Sequence, residues 1–305
     1  MSFTPSPRHP VTPSRRAAIA LVAVVTCVLA ASPWSRAADR SFAWKATGSR
    51  TAIYLVGSVH LLSKDYYPLN PALDAAYLDS DLLVEELDLD ETLEPTSQMR
   101  LLTKGMLPAG QSLEKVVSPE TYALVSKTAT SLGLPMAPLN QFKPWSLSMM
   151  LMSLVWTNAG FDPNIGLDRH FFDLAKKDGR LVQGLETTEF QISRFDEMAM
   201  PLQDRLLAQT LKDLETEAAS VASLADAWKS GDVATIERLA LDDLRDEPEM
   251  YQRLLVERNR NWLPKIEALF NRRGRALVVV GAAHLVGPDG LLQMLKSKGY
   301  TIEQL

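Results

Sequence analysis

Ala276-Leu277-Val278-Val279-Val280-Gly281-Ala282-Ala283-His284-Leu285 is the stretch that decides the fold of this chain. An unbroken apolar run ending in three valines reads as a strand buried on both faces. Gly281 lets the backbone bend sharply where the strand stops. His284 then falls just past a strand end, the place where open α/β sheets hold ligands. The same pattern occurs near the front of the chain, in Ala52-Ile53-Tyr54-Leu55-Val56-Gly57-Ser58-Val59-His60-Leu61. Two copies of strand-Gly-x-x-His-Leu predict two matched strand ends that deliver two imidazoles.

Other elements can be read outward from these two. Ser41 to Thr47 and Thr51 to Val59 flank Gly48-Ser49-Arg50 and read as a hairpin. Asp81 to Leu87 reads as a strand ending in the acids Glu85 and Glu86. Arg180 to Leu185 reads as a third inner strand with Glu186 at its end, and Tyr300 to Leu305 as a last short strand. Helical spacing covers Asn70 to Ser80, Ile165 to Asp178 and Pro288 to Lys298. It also covers most of Pro201 to Leu269, with breaks near Gly231 and Pro248. A further helical block, about Thr96 to Asn158, is punctuated by proline and too long for a simple crossover, so a cap over the sheet is expected. Strands alternating with helices give an α/β fold: a central mixed sheet, flanking helices and a helical cap. Residues 38–305 read as one domain.

The first 37 residues are of another kind. Arg8, Arg15 and Arg16 precede an apolar segment, Ala17 to Ala31, and Ser35-Arg36-Ala37 supplies small residues for cleavage before Ala38. This is the three-part form of a secretory signal peptide, and the apolar part is short for a membrane span. Ser14-Arg15-Arg16 resembles a twin-arginine signal, but the residues after it match poorly. Cleavage would remove four of the 32 basic residues and none of the 37 acids, leaving 28 against 37 and a net charge of −9. That balance argues against nucleic acid and against an anionic membrane surface as partners. The single cysteine, Cys27, would leave as well, and with it any disulfide, thiolate ligand or cysteine nucleophile. The remaining chain is expected in the periplasm or secreted, and its oligomeric state is left open.

Four strand ends finish in a candidate group: His60, Glu85 or Glu86, Glu186 and His284. Converging imidazole and carboxylate suit a divalent metal such as zinc, manganese or cobalt. Such an ion would lower the pKa of bound water and polarise a carbonyl. Strand alternation puts Glu85 and Glu86 on opposite faces, and periodicity does not choose between them. Glu186 also suits the positive start of the helix that comes after it. His170 lies on an apolar helical stripe and reads as structural. A helix surface accounts for Arg258 and Asn259; their functional reading is a guanidinium and an amide that pair a carboxylate or an oxyanion. The chain has no HExxH, no GxSxG and no phosphate-binding glycine loop.

Taken together, the chain resembles the TraB/GumN family, which includes the PrgY pheromone-shutdown proteins and the Tiki metalloproteases. The stretches that carry the resemblance are Gly57-Ser58-Val59-His60, Asp81 to Asp88, Gly166 to Ala175, Gly184-Leu185-Glu186-Thr187 with Gln191, Glu257-Arg258-Asn259, and Val280 to Leu285 with Gly287 and Gly290-Leu291-Leu292. The resemblance implies a fold related to the ChaN haem-binding and erythromycin-esterase proteins. From the Tiki branch it implies metal-dependent peptide hydrolysis, with His60, Glu86 and His284 on the metal; the family's spacing from Asp81 implies Glu86 over Glu85. The expectation is an exported hydrolase acting on peptides or a small amide or ester. Glu186 would serve as base or further ligand, and Arg258 with Asn259 would orient the substrate. The alternative is a non-catalytic envelope protein that binds a peptide, haem or saccharide in the same pocket.

Overall fold

The computed structural model describes residues 40–216 and 218–305. The signal peptide expected at 1–37 and its cleavage site lie outside the described residues. Among the described residues, no helix is long and apolar enough to cross a membrane.

Six strands form one mixed sheet: β1 (Ala43–Thr47), β2 (Ala52–Ser58), β3 (Leu82–Glu85), β4 (Leu181–Gly184), β5 (Ala276–Gly281) and β6 (Thr301–Gln304). Their order is β4-β3-β5-β2-β1-β6. β4, β3, β5 and β2 are parallel, whereas β1 is antiparallel to both β2 and β6. β2 and β3 are consecutive in sequence but are not neighbours, because β5 is inserted between them. β5 is therefore flanked by strands on both edges and covered on both faces, and all six of its residues are buried. Each buried valine contributes about 1.5–3 kcal/mol before the entropy of ordering it is subtracted. The two Gly-x-x-His strands pair directly, with Gly57 opposite Val280 and Ser58 opposite Gly281. This register sets both histidines at the same edge of the sheet.

The strand at Arg180 to Leu185 departs from expectation in its position. β4 is an edge strand with an alternating pattern, and Leu181 is 70 % exposed. Its apolar run is too short to be covered on both faces. The block from 95 to 158 is helical as expected. Its longer helices, Pro119–Ser131 and Pro144–Asn158, join Met200–Thr216 around a second apolar cluster of Leu113, Val125, Leu147, Leu151, Leu207 and Leu211, separate from the sheet core.

One helix is fixed unusually close to the site edge. Leu167–Lys177 starts after Gly166, and the Leu167 amide donates to the Val59 carbonyl at 3.2 Å. A Cβ on Gly166 would stand 1.9 Å from the His60 carbonyl oxygen, so only glycine allows this approach. The first turn of the helix, with Asp168, is thereby placed beside His60.

Candidate functional site

The parallel strands end side by side, so the residues just beyond them line one edge: His60 after β2, His284 after β5, Glu86 after β3 and Glu186 after β4. The group at the centre comes from elsewhere. Arg258 lies at the start of the helix Glu257–Leu269, directly after a π-helical stretch, Gln252–Val256. The wider π turn rotates the start of this helix, so that adjacent Arg258 and Asn259 are both buried instead of facing water.

The Arg258 guanidinium uses all its nitrogens. Nε and Nη2 donate to Glu186 Oε1 at 3.0 and 2.8 Å, and Nη2 also donates to Glu86 Oε2 at 2.5 Å. Nη1 donates to His284 Nε2 at 3.0 Å and to the Leu254 carbonyl at 3.2 Å. Trp262, one turn on, stacks under the guanidinium and donates its Nε1 hydrogen to Glu186 Oε2 at 2.8 Å. Glu86 receives two further bonds, from the Gly281 amide at 2.7 Å and from Gln191 Nε2 at 3.2 Å.

Both imidazoles are held by Nδ1 and turn Nε2 inward. His284 Nδ1 bonds Asn259 Oδ1 at 2.7 Å, and His60 Nδ1 bonds Asp168 Oδ2 at 2.8 Å. An oxygen partner on the outer nitrogen is the usual support for a metal-binding histidine, since it sets the tautomer and the ring orientation. The position of a Cβ on Gly281 lies 3.1 Å from Glu86 Oε1, 3.3 Å from His60 Nε2 and 3.6 Å from His284 Cδ2. The three expected ligands therefore meet around one small space, kept open by the missing side chain of Gly281. The donor set suits a divalent transition metal. The ligands are not drawn in to metal distances: among the described residues, no group of three or more His, Cys, Asp or Glu side chains is poised to hold an ion. Arg258 is the physical reason, because it holds His284 Nε2 and Glu86 Oε2.

Burial and charge divide these groups. Burial pushes His284 down to about 3; Glu86 pulls upward, but Arg258 and His60 add to the depression. His284 is thus a neutral ring whose Nε2 lone pair accepts from Arg258. Burial alone would raise Glu86, but Arg258, then His284, His60 and the Gly281 amide outweigh it and hold the carboxyl well below the usual range. Burial raises Glu186, and Arg258 only partly offsets this. His60 behaves differently: Asp168 raises its pKa and burial opposes the rise. The His60 side chain is 58 % exposed, so water screens part of that pull. Asp168→Asn is expected to lower the His60 pKa by about one unit or more, read by proton NMR of the ring. An unchanged titration would remove Asp168 as the cause.

A cavity of about 600 Å³ opens over this edge, lined by His60, Glu85, Glu86, Asp168 and Arg258 among others. Glu186 and Asn259 are not in its wall. Glu186 is spent on Arg258 and Trp262. Asn259 is fully buried, with Nδ2 donating to the His284 and Asp289 carbonyls at 3.2 and 2.9 Å. In this arrangement both act through a neighbour: Asn259 positions His284, and Glu186 positions Arg258. His170 lies away from the site, half-buried against Tyr67 and Phe171. Asp168 escaped the sequence reading, because an acid in a first helical turn is ordinarily a response to the helix dipole. Its place in Gly166 to Ala175, one of the stretches that carry the resemblance, was the available signal.

Comparison with known proteins gives relatives that align with most of this chain. The "Uncharacterized protein YbaP" of Escherichia coli (strain K12) is 27 % identical over 271 residues, covering 86 % of this chain and 96 % of that protein. The Shigella flexneri protein of the same description matches equally. A "Metalloprotease TIKI homolog" of Amphimedon queenslandica is 25 % identical over 326 aligned positions, covering 89 % of this chain and 62 % of the relative. No solved structure gives a significant match. The sequence model of the TraB/PrgY/gumN family matches residues 42–304, a span that contains all six strands and the helices between them, and the chain belongs to that family.

Proposed function

We propose that the protein is an exported metal-dependent hydrolase that cleaves a peptide or a small amide or ester. One observation carries this reading: His60 Nε2, the Glu86 carboxylate and the edge of the His284 ring surround one space beside Gly281, and His60 and Glu86 line an open cavity. Similarity to a protein described as a metalloprotease supports it. His60, Glu86 and His284 would hold the ion, and manganese, cobalt or zinc fits their chemistry. When bound, the ion supplies Lewis-acid polarisation of the scissile carbonyl. Asp168 orients His60 and Asn259 orients His284. Arg258 holds Glu86 in place and presents positive charge to the cavity wall, where it can meet a developing oxyanion. Export rests on the signal-like residues 1–37 and would place the protein in the periplasm or outside the cell.

Metal analysis of the purified protein, followed by peptide-cleavage assays with added manganese, cobalt or zinc, tests the proposal. The expected result is metal-dependent cleavage that falls at least about 100-fold in His284→Ala, as for loss of a metal ligand. Protein that binds none of the three metals and cleaves nothing would overturn it. A second reading has its own observation. The hold of Arg258 on His284 and Glu86 suits an envelope protein that binds a peptide, haem or saccharide without turnover. Saturable ligand binding unchanged in His284→Ala, with no product, would favour that reading.

A further inference from the structure

Glu85 lines the same cavity and takes no part in the network around Arg258. It is 2 % exposed, and among the described residues neither carboxyl oxygen has a hydrogen-bond partner. The cavity wall carries three carboxyl groups, Glu85, Glu86 and Asp168. Glu86 is paired with Arg258, and Asp168 with His60 and Ser58. The other arginine of the wall, Arg169, is bound to Asp173 by two bonds of 2.8 and 2.9 Å. Among the described residues no cation is left for Glu85, and the charges that act on it, Asp168, Asp88, Glu86 and Asp173, are all negative. A buried acceptor without a donor is costly to the fold, and a ligand that supplies the donor relieves that cost. Beside Glu85 the wall turns apolar, with Leu87, Leu89, Leu93, Met149 and Phe195. Leu93 and Met149 remain 50 % and 41 % exposed, so apolar surface lies open at the rim.

We propose that Glu85 is the recognition residue of this cavity, and that the ligand it fits is an amphipathic amine. The protonated amine donates to the Glu85 carboxyl, and an apolar body lies on the leucine, methionine and phenylalanine side chains next to it. For a peptide, the matching group is a free amino terminus or a lysine beside apolar residues. The proposal rests on the reading of this cavity as the ligand site, but not on hydrolysis.

The test uses two probes without a cleavable bond, 4-phenylbutylamine and its neutral analogue 4-phenyl-1-butanol. Their binding to the purified protein is measured by calorimetry with a chelator present, so neither metal nor turnover contributes. The amine is expected to bind at least about tenfold more tightly than the alcohol, as for a charge-assisted hydrogen bond made inside the protein. In Glu85→Gln and Glu85→Leu, checked for folding by thermal melts, that preference is expected to fall below about twofold. Equal binding of the two probes, no binding of either, or a preference that survives in a folded variant would overturn the proposal. Each of these results leaves the hydrolase reading to its own assay, and an inert protein that still prefers the amine would separate the two in the other direction.

Discussion

Arg258→Ala is expected to destabilise the protein by about 3–5 kcal/mol, the range for removing one partner from a buried ion pair. For a domain of this size, that is a fall of roughly 6–20 °C in thermal midpoint. Arg258 is paired with two buried carboxylates, Glu86 and Glu186, and among the described residues no other lysine or arginine bonds to either. Without it, both would lie in the interior as unpaired charges, and His284 Nε2 would lose its donor. The pH dependence separates this cause from lost packing. Glu86 is held below its ordinary pKa in the folded protein. Its contribution is therefore present above the unfolded carboxylate pKa and lost as pH falls through the lower folded value. The variant lacks that contribution, and its stranded carboxylates are relieved by taking up protons. Its deficit against wild type should be largest near pH 7 and shrink as the solution is acidified towards about pH 4.5. Combining Arg258→Met with Glu86→Gln and Glu186→Gln should recover part of the loss. A deficit that is flat with pH would show that packing against Trp262, not charge, sets the cost.

The sequence made β2 and β5 legible as strands with matched ends, because both are unbroken apolar runs, the pattern of strands covered on both faces; that they pair directly is a finding of the structure. From that pairing the meeting of His60 and His284 follows. Glu85 against Glu86 was not legible from periodicity, and only the family resemblance favoured Glu86. β3 ends at Glu85, so the period of two that separates faces stops applying where the choice is made. Glu86 reaches the histidines from the turn, while Glu85 stays buried and still borders the same cavity. Arg258 is visible in the sequence, but as an ordinary helix residue with a site role in reserve. A π turn leaves no mark in a 3.6-residue pattern, and it is this turn that carries Arg258 and Asn259 inward together. β4 misled in the opposite way: two apolar residues suggested an inner strand where the sheet has its edge. Tertiary geometry decided each of these cases, and in each the local pattern was too short or the wrong period to record it.

Glu85→Leu is expected to raise stability, and increasingly so at higher pH. Burial, then the negative charges of Asp168, Asp88, Glu86 and Asp173, push the Glu85 carboxyl up to about 10 in the folded protein, against an ordinary 4.5. Between those values the ligand-free folded chain holds a proton that the unfolded chain has released; a bound ammonium takes the place of that proton, which leaves to solvent. Stability from this group is complete below the unfolded pKa and drains away as pH rises towards the folded one. The slope is at most about 1.4 kcal/mol per pH unit, or roughly 3 kcal/mol between pH 5 and 7. Leucine has nothing to titrate and fills similar space, so denaturant unfolding at pH 5, 7 and 9 should show the gap between variant and wild type widening with pH. Parallel profiles would mean that water or a cation already satisfies the carboxyl. Glu85→Gln keeps the polar atoms without the charge; it should flatten the slope yet gain less stability, because a buried amide still lacks partners. The same leucine variant is the one expected to lose its preference for the amine probe. Stability gained and recognition lost in a single protein would put the folding cost and the ligand contact on one carboxyl, the trade-off expected where a site is left unsatisfied for what it binds.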